Sequence, residues 1–179
     1  MIIFMGVAGA GKSMQGRVLA DEFGLPWVST GEFLRMLISG EERKDMLAGK
    51  LLDDEEIIRL VQKVFNVIDT DEEFILDGFP RTDDQVDWLL NQIKHGQLNL
   101  TAVIHLTATR EVVKKRLLER GRQDDTSEAI EERFQEYEDN IVPILDKLKA
   151  AGVKVCDIDG DKTVEEVHDA ISEALQQVR

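Results

Sequence analysis

Gly6-Val7-Ala8-Gly9-Ala10-Gly11-Lys12-Ser13 decides the fold, because it satisfies G-x-x-x-x-G-K-[ST] in the setting that such a loop requires. Before it, the apolar run Ile2–Met5 reads as a strand; after it, a helical pattern continues to about Phe23. Between a strand and a helix, glycines let successive backbone N–H groups turn inward around phosphate oxygens, and the helix N-terminus adds partial positive charge. Lys12 is placed to neutralise β/γ oxygens and Ser13 to ligate Mg²⁺. The loop leaves the protein class open, since kinases, ATPases, GTPases and nucleotide sensors all need the same cradle.

Outward from the loop, four more apolar runs read as strands: Leu25–Val28, Phe74–Leu76, Ala102–Leu106 and Val153–Ile158. They lack clean alternation, as expected where helices cover both faces of a parallel sheet, so the fold class is α/β, a doubly wound, P-loop NTPase-like sheet. Helix starts are expected where a capping residue precedes a glutamate by three: Ser29 with Glu32, Asp53 with Glu56, and Asp125 with Glu128. About forty-five residues separate the second and third runs, more than one crossover helix needs, with Gly40 and Gly49 as breaks. A small inserted helical subdomain follows. No repeat or Pro/Gly/Ser-rich linker divides the 179 residues, which are expected to form one domain.

Composition narrows the setting. No apolar run approaches the eighteen or so residues of a membrane span, and the N-terminus enters a strand instead of a basic signal region, so a cytoplasmic location and no membrane partner are expected. The net charge of −14 argues against broad nucleic-acid binding, so any phosphate site must be local. Cys156, the single cysteine, excludes an intramolecular disulfide and a thiolate zinc site, and reads as a buried thiol without function. His95, His105 and His168 read as surface or satisfied strand residues.

Neither the H-R-D and D-F-G set of protein kinases nor the N-K-x-D motif of GTPases is present, which favours a small-molecule kinase. At Ser29-Thr30-Gly31-Glu32-Phe33-Leu34-Arg35 and Asp77-Gly78-Phe79-Pro80-Arg81, with Gln85 four residues on, the chain resembles the adenylate kinases. The likeness continues through Arg116, Arg120, Arg122-Gln123-Asp124-Asp125 and Arg133 to Asp159-Gly160. It implies a five-stranded parallel sheet, a monophosphate-binding subdomain at 30–59, a lid near Arg122, and Mg²⁺-dependent phosphoryl transfer between ATP and AMP giving two ADP. A monomer is expected.

Residue by residue, the resemblance implies ATP binding by Gly9, Ala10, Gly11, Lys12, Ser13 and Met14, with Arg116 stacked on the donor base and Gly160 beside it. AMP is expected at Thr30, Arg35, Gly78, Arg81 and Gln85. Asp77 ends an apolar strand, so its carboxylate lies beside the cradle, where it can hold Mg²⁺ through water. Lys12, Arg81, Arg120, Arg122 and Arg133 are the expected catalytic cations. Arg116 and Arg120 share a helix face at i, i+4, and guanidinium forks suit phosphate. Gln85 has an amide with the right donor and acceptor for an adenine edge. Pyrimidine-directed relatives tend to carry alanine and asparagine where this chain has Thr30 and Gln85, which favours AMP.

Two features depart from the resemblance. The family's usual G-K-G-T is here Gly11-Lys12-Ser13-Met14, and only Gly121, Arg122 and Gln123 stand between Arg120 and Asp124, leaving a minimal lid at 121–124. The lid contains no cysteine for a zinc site. Two rival readings follow: a kinase for UMP, CMP or another small acceptor, and a nucleotide-binding regulatory protein with reduced activity.

Overall fold

The computed structural model describes residues 1–47 and 52–178. Five strands, β1 (Ile2–Met5), β2 (Trp27–Ser29), β3 (Ile75–Asp77), β4 (Ala102–Thr107) and β5 (Val155–Asp159), form one sheet in the order β2-β3-β1-β4-β5. Every pairing is parallel. The helices are α1 (Lys12–Phe23); α2 (Thr30–Leu37), α3 (Gly40–Leu47) and α4 (Asp54–Phe65) between β2 and β3; α5 (Asp83–Lys94); α6 (Arg110–Arg120); α7 (Ser127–Glu136), which runs through a π-helical turn at Tyr137–Ile141 into α8 (Val142–Ala150); and α9 (Val164–Val178), which follows β5.

Burial on both faces explains the missing alternation. Ile2 and Phe4 pack with Leu19 of α1, Val113 of α6, Ile130 of α7 and Ile171 of α9. Ile3 and Met5 point the other way, against Val86 and Leu89 of α5 and Ile144 and Leu148 of α8. β1 is therefore apolar throughout while its period of two is spent on two different cores.

Strand boundaries differ from the expected runs by one or two residues. The second starts at Trp27 instead of Leu25, since Pro26 has no N–H to give and its carbonyl instead accepts from Ile75 N at 2.8 Å. The fifth starts at Val155 because the Val153 N–H closes the end of α8 on Leu148 O. Asp53 caps α4 as expected, accepting from Glu56 N. Ser29 stands at the N-cap of α2 without a side-chain cap bond. The expectation for Asp125 fails: Thr126 caps α7 through Ala129 N, and the Asp125 carboxylate is taken by arginines. Gly40 opens α3 with φ +62°, whereas Gly49 lies outside the described residues. Cys156 is half-buried, and burial pushes its thiol pKa up.

Register positions the site. Phe4 of β1 and Ser29 of β2 both pair with Asp77, so Asp77 ends the strand between them, at the sheet's C-terminal edge where the phosphate loop departs.

Candidate active site

The loop leaves β1 at Gly6 with φ +133°, and a Cβ there would lie 2.2 Å from the carbonyl oxygen of Leu106, so only glycine lets the chain turn across β4. Lys12, first in α1, folds back and donates from Nζ to the carbonyls of Gly6 (2.6 Å) and Val7 (2.9 Å). Burial lowers its pKa from 10.5 to about 8, against the opposing pull of Asp77, and the cations Arg81 and Arg120 lower it further. Anionic phosphate placed in the cradle would reverse that shift. Ser13 Oγ donates to Asp77 Oδ2 at 2.5 Å.

This hydroxyl and carboxylate meet at the mouth of the cradle, and their hard oxygens fit Mg²⁺, an ion that takes few protein ligands and fills its shell from water and phosphates. Among the described residues no group of three or more His, Cys, Asp or Glu could hold a metal ion.

A cleft of about 440 Å³ opens above the cradle. It gathers Gly9, Gly11, Lys12, Ser13 and Met14 from one side and Thr30, Arg35, Asp77, Gly78, Arg81 and Gln85 from the other. Arg116, Arg120, Arg122 and Arg133 complete its wall. Two expected residues do not line it. Ala10 is buried in the core, and Gly160 lies behind the loop, where an added Cβ would meet Ala10 O at 2.8 Å and Thr107 O at 2.7 Å. The Gly160 carbonyl accepts from Arg116 Nη1 at 2.8 Å, which ties α6 to the end of β5.

Carboxylates hold the arginines in place. Asp125 accepts from Arg120 Nε (2.9 Å) and Nη2 (2.6 Å), from Arg122 N (3.0 Å) and from Arg133 Nη1 (3.1 Å). Asp124 accepts from Arg35 Nη2 at 2.9 Å and also from Arg133. Burial pushes both carboxyls up, but for Asp124 the Arg35 hydrogen bond and the Arg133 charge outweigh it, and for Asp125 the Arg120 hydrogen bond and the Arg122 N–H do. Both end below the usual carboxylate range and stay ionised. Arg122 Nη2 reaches Glu32 Oε1 of α2 at 3.0 Å, so α2 meets the 121–124 segment through two ion pairs, Glu32–Arg122 and Arg35–Asp124.

On the acceptor side, Thr30 Oγ1 donates to Gly78 O at 2.8 Å and Arg81 Nε to the same carbonyl at 2.9 Å. Gly78 has φ +86° and a Cβ there would sit 2.8 Å from Thr30 Oγ1, so the turn admits both side chains only around glycine. The Phe79–Pro80 peptide is cis, and Arg81 follows it. Gln85 is 2% exposed, a polar helix side chain turned inward to the cleft.

Sequence reasoning passed over several residues. Glu136 lies among Lys12, Arg81 and Arg133; burial raises its pKa despite those three cations. Its spacing from Arg133, i to i+3 on α7, was the available signal. Arg17, Leu34, Leu52 and Ile57 form a partly apolar wall of the cleft, with Arg17 over the Trp27 ring at 4.4 Å. His105 is a satisfied strand residue, bonded to Asp157 Oδ1 (2.6 Å) and Tyr137 OH (2.8 Å).

A phosphate loop at the carboxyl edge of a parallel sheet, facing a cleft of arginines, defines a P-loop phosphotransferase of the nucleoside monophosphate kinase class. The family model described as adenylate kinase matches residues 4–153. The chain is 34% identical over 182 residues to an adenylate kinase of Corynebacterium urealyticum, covering 98% of this chain and 99% of that protein. It is 35% identical over 180 residues to one of Corynebacterium glutamicum strain R, covering 97% and 98%. An adenylate kinase of Archaeoglobus fulgidus is 29% identical over 215 aligned positions, covering 99% of each, so that relative carries additional residues. The chain belongs to the adenylate kinase family, and its α/β fold and standing as a phosphotransferase enzyme accord with what the sequence leads one to expect. The regulatory alternative is not favoured.

Among the described residues no helix is long and apolar enough to cross a membrane.

Proposed function

We propose that this chain transfers the γ-phosphoryl group of ATP to AMP, reversibly, within the one cleft described. The observation that carries the reading is the convergence of Lys12, Arg81, Arg120 and Arg133 on the same space as the buried amide of Gln85. The cations suit phosphates from two directions, and the amide suits an adenine edge.

The acceptor phosphate is largely dianionic at neutral pH, since its second pKa is near 6, so no general base is needed. Rate then comes from in-line positioning and from charge set against the equatorial oxygens, the roles of Lys12, Arg81, Arg120, Arg122 and Arg133. In this reading the phosphate loop from Gly9 to Met14, with Arg116 and Gly160, holds ATP, while Thr30, Arg35, Gly78, Arg81 and Gln85 hold AMP. Ala10 and Gly160 act through backbone placement, Ala10 buried within the loop and Gly160 lying behind it. Ser13, and Asp77 through water, would hold Mg²⁺, which supplies charge neutralisation at the donor phosphates.

The segment 30–59 serves as the monophosphate-binding subdomain of a single domain and 121–124 as a minimal lid. The active unit is a monomer, supported by a cleft built within one chain, and the location is the cytoplasm. A kinase for UMP or CMP is the reading that this arrangement opposes, through Gln85. A coupled assay of ATP with AMP, UMP, CMP and GMP tests it: AMP is expected to have the highest kcat/KM, and preference for a pyrimidine monophosphate would overturn the assignment.

A further inference from the structure

We propose that Asp54, the first residue of α4, is a positioning residue that fixes which way the Gln85 amide faces and so sets the choice between adenine and a base with the reversed hydrogen-bonding edge. The inference rests on the reading of Gln85 as the residue that meets the acceptor base.

The Gln85 side chain is held at both ends. Its Oε1 accepts from Arg81 N at 2.8 Å and its Nε2 donates to Asp54 Oδ1 at 2.7 Å. A backbone N–H can only donate and a carboxylate can only accept, so the two partners impose one orientation on an amide that otherwise flips between two. The same Asp54 oxygen accepts from Thr82 Oγ1 at 2.8 Å, and Thr82 Oγ1 accepts from Gln85 N at 3.3 Å as the cap of α5. Asp54 thus joins the start of α4 to the start of α5 through the residue that faces the cleft.

An amide has two N–H bonds and two carbonyl lone pairs, and these contacts use one of each. One donor and one acceptor remain, in a fixed order. Adenine offers a matching pair, its exocyclic N–H and its N1 lone pair; hypoxanthine offers the opposite, an N1–H and a carbonyl oxygen. While both ends of the amide are held, turning it to suit hypoxanthine sets N–H against N–H at Arg81 and oxygen against oxygen at Asp54. Without the carboxylate only the Arg81 contact resists.

The test compares the full chain with Asp54→Ala, Asp54→Asn and Gln85→Ala, measuring kcat/KM for AMP and for IMP with ATP in excess, the KM for ATP, and thermal unfolding. Asp54→Ala is expected to narrow the AMP/IMP ratio about tenfold, the worth of one fixed hydrogen bond, with the KM for ATP unchanged. Asp54→Asn, whose own amide can turn to donate as well as accept, should also narrow the ratio while keeping the side chain's size in place. Equal falls for AMP and IMP in Asp54→Ala, or no change for either, would show that Asp54 only braces the fold and would overturn the proposal. Should the alanine variant not fold, Asp54→Ser keeps a polar side chain at the helix start, is too short to reach the amide, and carries the same expectation. Gln85→Ala separates the two layers: an unchanged ratio there refutes base reading by Gln85 itself, while a collapsed ratio beside an intact one in Asp54→Ala refutes only the role of Asp54.

Discussion

Replacing Asp125 by asparagine should both destabilise the protein and misplace two arginines of the cleft. Its side chain is 1% exposed and receives four N–H donors, two from Arg120 and one each from Arg122 and Arg133. An amide keeps one accepting oxygen and turns an NH₂ group toward the remaining donors, so at least two charge-assisted hydrogen bonds fail at about 1.5–3 kcal/mol each. Arg120 is 33% exposed and recovers part of that from water, which brings the expected loss to about 2–4 kcal/mol. For a chain of this size the corresponding fall in Tm is about 5–15 °C. Loss of the fork on Arg120 should lower kcat about tenfold to a hundredfold, because the guanidinium no longer stands ready in the cleft.

The pH dependence has a definite sign. The folded Asp125 carboxyl lies below its ordinary value, so its contribution is complete above about pH 4 and is lost as pH falls through the folded pKa. Calorimetry of both proteins from pH 7 to pH 2.5 should therefore show a Tm gap that is wide at neutrality and closes in acid. Equal Tm values at pH 7, or a gap that persists undiminished to pH 2.5, would show that the Asp125 charge does not hold these arginines.

Lys12→Ala should lower turnover by orders of magnitude with far-UV circular dichroism unchanged, since it removes charge from the phosphoryl oxygens; near-normal kcat would dismiss the assigned cradle. Because burial brings free Lys12 to about 8, kcat/KM for ATP should fall above that pH, while kcat, which reports the nucleotide-bound enzyme, should hold to higher pH; parallel profiles would contradict this. The short segment between Arg120 and Asp124, although tied to α2 by the Glu32–Arg122 and Arg35–Asp124 pairs, should leave bound ATP open to water until AMP fills the acceptor side of the cleft. Phosphate release from ATP alone should exceed that of a long-lidded relative and diminish on adding AMP, and release as low as the relative's would show that other elements exclude water.

What the sequence determined by itself was whatever adjacent residues can settle among themselves. The loop Gly6–Ser13 forms from consecutive backbone groups, Asp53 caps α4 three residues ahead, and Asp77 ends a strand whose apolar run is visible in one dimension. The arginines were legible through their likeness to a family's spacing, although nothing in their own neighbourhoods says which carboxylate each will meet. Those contacts arise when the helices pack together on the sheet. Asp125 carries every local mark of a helix cap, yet Arg120 and Arg133 converge on it from α6 and α7, and several charged donors around a buried oxygen outweigh one backbone N–H. Gln85 has the polarity of a surface residue, but the packing of α4 against α5 buries it and supplies Asp54, thirty-one positions away, to hold its amide. Partners that distant are set by how helices dock on the sheet, and no periodicity or spacing along the chain encodes that docking.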